Sequence, residues 1–172
     1  LIAAAVVLLS IALRLFLPPS VSSSAQLSTS DEAIERGEYL VIAGGCISCH
    51  RGEEDEESFI GGLALETDFG TFFAPNITPD METGIGSWQA EDFLLALKHG
   101  RKPGGSFYYP AFPFRAYAGL SDQDAVDIGS YLMSLDPKAN SVPDAQTPLW
   151  LNRWAMAGWN LMADISEVEY EA

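Results

Sequence analysis

The two cysteines of this 172-residue chain stand two residues apart, in Cys46-Ile47-Ser48-Cys49-His50, and no other feature of the sequence constrains the fold as tightly. Two intervening residues put both thiols on one turn of chain, and a histidine follows the second directly. Three chemistries use cysteines spaced this way. A redox dithiol needs no following histidine and sits in a βαβ context. A structural zinc site wants a second pair of ligands, yet the only other histidine is His99 and there is no third cysteine. The third chemistry is covalent attachment of a c-type haem: each thiol bonds a vinyl-derived carbon of one porphyrin, and the adjacent histidine reaches the iron from the proximal face. The pattern therefore predicts one haem c, held by Cys46 and Cys49, with His50 as an iron ligand.

Charge narrows the partners. The formal net charge is −15, from 9 basic and 24 acidic residues. Nucleic-acid binding is driven by Lys and Arg displacing counterions, so no nucleic-acid partner is expected; a redox protein or membrane complex with a basic docking surface is. Five carboxylates, Glu53-Glu54-Asp55-Glu56-Glu57, follow His50 closely. Such a run is either a solvated loop or an acidic collar that steers a basic redox partner to the haem. The 48% hydrophobic content is enough to bury one core.

Residues 1–17 read LIAAAVVLLSIALRLFL, broken only by Ser10 and Arg14. As a helix this segment would extend about 25 Å, a short membrane span whose Arg14 can snorkel to the head groups. A retained transmembrane anchor is expected in preference to a signal-peptide core. Pro18 and Pro19 stop it, and residues 18–30 read as a flexible linker. Ser30 is an N-cap for a helix over residues 31–43, with Ala33, Ile34, Tyr39, Leu40 and Ile42 available for burial. Residues 89–98 read as a second helix with Phe93, Leu94, Ala96 and Leu97 on its apolar face. Ser121 caps a third, running through Ala125, Ile128, Tyr131 and Leu132 to Leu135. Residues 31–137 then form the main domain, and 138–172 a Trp-rich C-terminal extension. In the extension Trp150, Trp154, Gly158 and Leu161 share a helical stripe, Leu151 and Met162 flank it, and Trp159 points elsewhere; packing back onto the domain is expected.

The blocks RGEYLVIAGGCISCH, GGLALETDFGTFFAPNITPDMETGIGSW, DFLLALKHGR, YYPAFPF, LSDQDAVDIGSYLMSL and RWAMAGWNLM resemble class I c-type cytochromes. Within that family the likeness is to the cytochrome subunits of membrane-bound bacterial alcohol and aldehyde dehydrogenases, over nearly all of residues 31–162. The resemblance implies an all-α class I cytochrome c fold in which N- and C-terminal helices cross around one covalent haem, here with an N-terminal transmembrane helix added. It further implies that Asn76 and Thr78 offer donors to the haem propionates. Trp88 is similar to the indole that bonds a propionate, with a plain core tryptophan at a helix start as the other reading. Tyr109 and Phe112 are expected to line the ring, and His99 to be a structural or surface histidine.

The second axial ligand is where the likeness fails. Several relatives carry a Tyr-Pro-Ala-Met-Pro segment whose Met is the expected ligand, whereas this chain has Phe112 in Tyr109-Pro110-Ala111-Phe112-Pro113. Met81, Met133, Met156 and Met162 remain. Met133 is the first choice, because the Tyr-Leu-Met ending of its helix resembles relatives that also have Phe in the preceding loop. Against it, a helix turns about 100° per residue, which carries Met133 away from the face shared by Tyr131 and Leu132. Met81, His99 or an open iron are the other outcomes.

Together these readings give an electron-transfer protein rather than an enzyme. The expected function is a membrane-anchored monohaem cytochrome c, relaying single electrons between redox partners as part of, or docked to, a membrane complex. Covalent haem attachment is completed outside the cytoplasm in bacteria, so the expected location is the inner membrane, single-pass, with the haem domain on the periplasmic side. The alternative is a five-coordinate haem protein that binds a small ligand, as a sensor or in peroxidase-like chemistry.

Overall fold

In the computed structural model the described residues are 19–21, 23–53, 55–153 and 155–165, the side chains of 161–165 excepted. The expected anchor over residues 1–17 lies outside them. Among the described residues no helix is long and apolar enough to cross a membrane.

Helix α1 (Asp31–Ala43) starts where Ser30 Oγ accepts the Ala33 N–H, with Asp31 and Glu32 beside its positive end. Its buried stripe is Ala33, Gly37 and Val41, spaced four residues apart. That spacing corrects the expected burial of Tyr39 and Ile42. Both are 69% exposed, because small residues were needed where the helix meets its partner and the larger ones fall off that line. A short helix α2 (Cys46–His50) follows the Gly44-Gly45 turn. A hairpin of β1 (Ala64–Thr67) and β2 (Gly70–Phe73) then pairs antiparallel, Leu65 opposite Phe72. The architecture is therefore mostly helical rather than wholly so.

Helix α3 (Ala90–His99) carries a capping box: the Gln89 N–H donates to Asp92 Oδ2 at 2.9 Å, and the Gln89 side chain accepts in return. It ends at Gly100, whose φ of +60° suits glycine and whose missing side chain leaves room for the Phe114 ring. A 3-10 turn (Phe114–Ala116) leads to α4 (Asp122–Ser134), capped by Ser121, whose Oγ accepts the Asp124 N–H at 3.0 Å. Helix α4 packs across α1, and Val41, Ile85, Phe93, Ile128 and Leu132 form the core behind the crossing.

The segment expected to be a flexible linker is docked. Ala25 is buried against Ala90 and Leu94 of α3 and Ala125 and Val126 of α4, with Val21 and Leu27 packed beside it. The Ser28 N–H donates to Ser130 Oγ at 3.0 Å. Small side chains allow this close fit where the sequence reads only as low-complexity polar chain.

The extension also packs back. Thr71 and Gln146 exchange backbone hydrogen bonds, the Asn140 N–H donates to Thr83 Oγ1, and Asn140 Nδ2 donates to the Ile60 carbonyl. Helix α5 (Ala155–Ile165) then buries Met156 and Ala157, with Leu151 before it, against Phe72 and Phe107. The expected stripe is thereby turned round: Trp150 and Gly158 are exposed, while Trp154 and the side chains of Leu161 and Met162 lie outside the described residues.

Candidate functional site

Helix α2 is one turn long, so Cys46 and Cys49, three apart, fall on one side of it. Gly45 enters this turn at φ +66°, a conformation that costs glycine little, and Ser48 closes it by donating from Oγ to the Gly45 carbonyl at 2.6 Å. Both thiols are free and half-buried. Burial pushes the Cys46 thiol above its ordinary pKa, as expected of a sulfur facing apolar surroundings.

His50 is fixed at its far nitrogen. Nδ1 lies 2.8 Å from the Pro75 carbonyl. A carbonyl can only accept, so Nδ1 carries the proton and Nε2 carries the lone pair. Burial also holds the imidazole pKa below its usual value, against the pull of the Pro75 bond, so the ring is neutral at neutral pH. A second bond, from the Gly61 N–H to the His50 carbonyl at 2.8 Å, locks the backbone. A neutral, oriented imidazole beside two free thiols is the donor set a covalent haem requires. Among the described residues, no group of three or more His, Cys, Asp or Glu converges to hold a metal ion.

The loop after α3 reaches the turn that precedes Cys46. Tyr117 donates from its hydroxyl to the Gly44 carbonyl at 2.9 Å. Burial, with the charges of Cys46 and Cys49 added, pushes its phenol upward. Phe112 stacks on Tyr117 with centroids 6.0 Å apart, and Tyr108 meets Phe112 edge-on at 5.3 Å. Phe112 thus belongs to the wall, though no carbon ring can bind iron. Neither Pro75 nor Tyr117 was singled out by sequence, because each contributes through a partner far along the chain.

The other expected pocket residues fall in different places. Trp88 is half-buried and packs with Cys46, Phe59 and Ile77 against the Val41 core, edge-on to Phe93 at 5.2 Å. Asn76 is 2% exposed, and both protons of its amide are committed, to Thr83 Oγ1 at 3.1 Å and the Lys138 carbonyl at 2.8 Å. The Thr78 N–H donates to Asn76 Oδ1 at 2.9 Å, and its Oγ1 lies within hydrogen-bonding reach of both Asn76 Oδ1 and that same carbonyl, one of which takes its proton. As folded, Asn76 and Thr78 pin the extension to the loop. Tyr109 packs on Phe72 at 5.1 Å and lies under the Arg153 guanidinium, whose Nη1 donates to the Phe107 carbonyl.

Met133 borders a small cavity with Leu27, Ser28, Thr29, Ile34, Ser130 and Ser134. Ile34 precedes the end of α1 at Ala43 by nine residues, about 14 Å of helix, and the cysteines lie beyond that end. Met133 and Cys46 both pack on the core that contains Val41, Ile128 and Leu132. Met81 is 70% exposed, and His99 is exposed at the end of α3.

The acidic run is partly neutralised. Asp55 pairs with Lys138 at 2.8 Å, which holds its carboxyl below the ordinary range, and Arg51 lies 3.4 Å from Glu56. Glu53, Glu56 and Glu57 remain exposed.

Comparison with known proteins agrees with this geometry. The family model for cytochrome c matches residues 34–136. The chain is 41% identical over 167 residues to a "Diheme cytochrome c-type" protein of Cereibacter sphaeroides, covering 92% of this chain and 56% of that protein. It is 39% identical over 142 residues to the gluconate 2-dehydrogenase cytochrome c subunit of Pantoea cypripedii, covering 81% and 32%. It is 38% identical over 143 residues to the cytochrome c subunit of alcohol dehydrogenase (quinone) of Gluconobacter oxydans, covering 81% and 30%. The chain thus spans about half or less of the length of these relatives. With the matched family covering the helices that cross and the turn that bears both thiols, the chain belongs to the cytochrome c family and carries haem c through Cys46 and Cys49.

Proposed function

We propose that this electron carrier works as the cytochrome subunit of a membrane-bound dehydrogenase complex, taking single electrons from the dehydrogenase and passing them on at the periplasmic face of a bacterial inner membrane. The observation that carries the reading is the fixed, neutral His50 beside Cys46 and Cys49, an arrangement suited to holding one redox centre rigid while its charge changes by one. Rigidity keeps the reorganisation accompanying each transfer small. The likeness to cytochrome c subunits of gluconate 2-dehydrogenase and alcohol dehydrogenase (quinone) supports a dehydrogenase as electron donor. The apolar run over residues 1–17 supports a single-pass anchor. The exposed Glu53, Glu56 and Glu57 support a partner whose docking face is basic.

The test is expression of the full chain in a bacterium that attaches haem c, followed by purification from its own membranes. The expected result is a coloured protein that resists an alkaline carbonate wash, needs detergent, and co-purifies in fixed ratio with a dehydrogenase that reduces it. Release by carbonate would overturn the anchor. Failure of every co-purifying dehydrogenase to reduce the haem would overturn the relay.

A further inference from the structure

We propose that Tyr117 is a positioning residue for the covalent haem: its hydroxyl, by donating to the Gly44 carbonyl, latches an uncharged aromatic loop to the turn that bears Cys46 and keeps water from the porphyrin edge bonded there. The inference stands on the haem c already assigned and is independent of which complex receives the electrons.

Geometry brings the ring to the sulfur. A Cβ built at Gly44 would stand 3.3 Å from Tyr117 Cε1 and 3.7 Å from Cys46 Sγ, so the ring edge and the sulfur flank one point. The hydrogen bond from the hydroxyl to the Gly44 carbonyl, 2.9 Å long, holds the ring there. That carbonyl takes the phenolic proton, and the rest of the side chain is carbon. Phe112 stacks on Tyr117 at 6.0 Å with the rings 26° apart, and Tyr108 meets Phe112 edge-on at 5.3 Å. Residues 39–49 carry no charge, and neither do 103–114 and 116–121. Arg115, the one charge between the last two, donates from Nη2 to the Asn160 carbonyl of α5.

The hydroxyl fastens what the loop backbone only folds. The N–H groups of Phe112, Phe114, Ala116, Tyr117 and Leu120 donate to carbonyls within the loop, and these bonds do not tie it to α1. Tyr117 reaches 73 residues back along the chain, to the glycine that ends α1. Oxidation adds one positive charge to the haem, and a charge is least stable where water and polar groups are kept away. A closed, uncharged wall beside the Cys46 thioether therefore favours the reduced iron and raises the potential, burial being one of the levers a protein has on a haem. Loss of the latch admits water and reverses the effect.

The experiment uses the full haem-bearing chain. Tyr117→Phe keeps the ring and removes only the donor. It is expected to attach haem with unchanged absorption bands and to show a lower reduction potential in a spectroelectrochemical titration. Replacing Tyr117 with para-aminophenylalanine restores a donor and is expected to return the potential toward that of wild type. Tyr39→Phe, at an exposed ring on α1, is the control that leaves the potential where it was. A potential in Tyr117→Phe equal to that of wild type, or a lowered one that para-aminophenylalanine leaves unrestored, overturns the proposal. If Tyr117→Phe does not fold, the ferrous wild type with isotope-labelled tyrosine at position 117 alone decides. Its ring protons should be displaced by the porphyrin ring current and its hydroxyl proton should exchange slowly; ordinary shifts or rapid exchange overturn the assignment.

Discussion

Gly37 of α1 lies against the backbone of Asp127 in α4, so closely that a Cβ built at Gly37 would stand 2.0 Å from the Asp127 carbonyl oxygen and 2.8 Å from Tyr131 Cβ. Backbone meets backbone here, so a side chain cannot be accommodated by rotating a neighbour. Gly37→Ala is expected to force the helices apart and destabilise the fold by about 2–3 kcal/mol. Urea unfolding followed by far-ultraviolet circular dichroism measures this. An unchanged midpoint would mean the crossing is looser than described.

The strap before α1 gives a second expectation. Ala25 is enclosed by Ala90, Leu94, Ala125 and Val126, all apolar. Ala25→Glu would place a carboxylate there with no partner, at a cost well above the roughly 1–3 kcal/mol of a neutral polar group, and the strap is expected to lift rather than pay it. Limited proteolysis should then cleave residues 19–29 faster in the variant, while the haem spectrum stays the same. Equal cleavage rates would show that the strap is already open in solution.

The exposed carboxylates after His50 are expected to make electron transfer dependent on the charge of the partner. With a small cationic metal-ammine oxidant the rate should fall as salt is added, since screening removes attraction; with an anionic cyanide complex it should rise. Changing Glu53, Glu56 and Glu57 together to Gln should slow the cationic reaction by roughly 3- to 10-fold at low salt and leave it unaltered at high salt. Identical salt slopes in variant and wild type would reduce the run to a passive solvated loop.

Acid stability has an identified contributor. Asp124 accepts hydrogen bonds from Arg36 and Ser121, and these hold its carboxyl below the ordinary range in the folded state. A depressed folded-state value means stability that is complete above the unfolded carboxylate pKa, about 3.9, and lost as pH falls through the folded value. Asp124→Asn should lower the melting temperature modestly at pH 7 and flatten its decline below about pH 4. Because Arg36 is mostly exposed, added salt should shrink the difference at neutral pH. Parallel melting curves across the acid range for the two proteins would exclude Asp124 from that role.

The sequence by itself determined the features that act over a few residues. Ser30 and Ser121 cap helices by bonding N–H groups three positions on, Gly45 and Gly100 turn the chain where φ must be positive, and the thiols of Cys46 and Cys49 share a turn with His50 beside them. Each signal carries its own physical cause in adjacent residues. Tertiary structure alone decided what depends on partners far along the chain: Ser28 on Ser130, His50 on Pro75, Tyr117 on Gly44, and Asn76 on Lys138. It also corrected the buried faces. Tyr39 and Ile42 are apolar and helical, but the crossing at Asp127 admits only the Gly37 line; Trp150 is apolar, but Met156 and Ala157 face the hairpin. Hydrophobicity says that a residue prefers burial, while the neighbouring element decides which residues have something to be buried against.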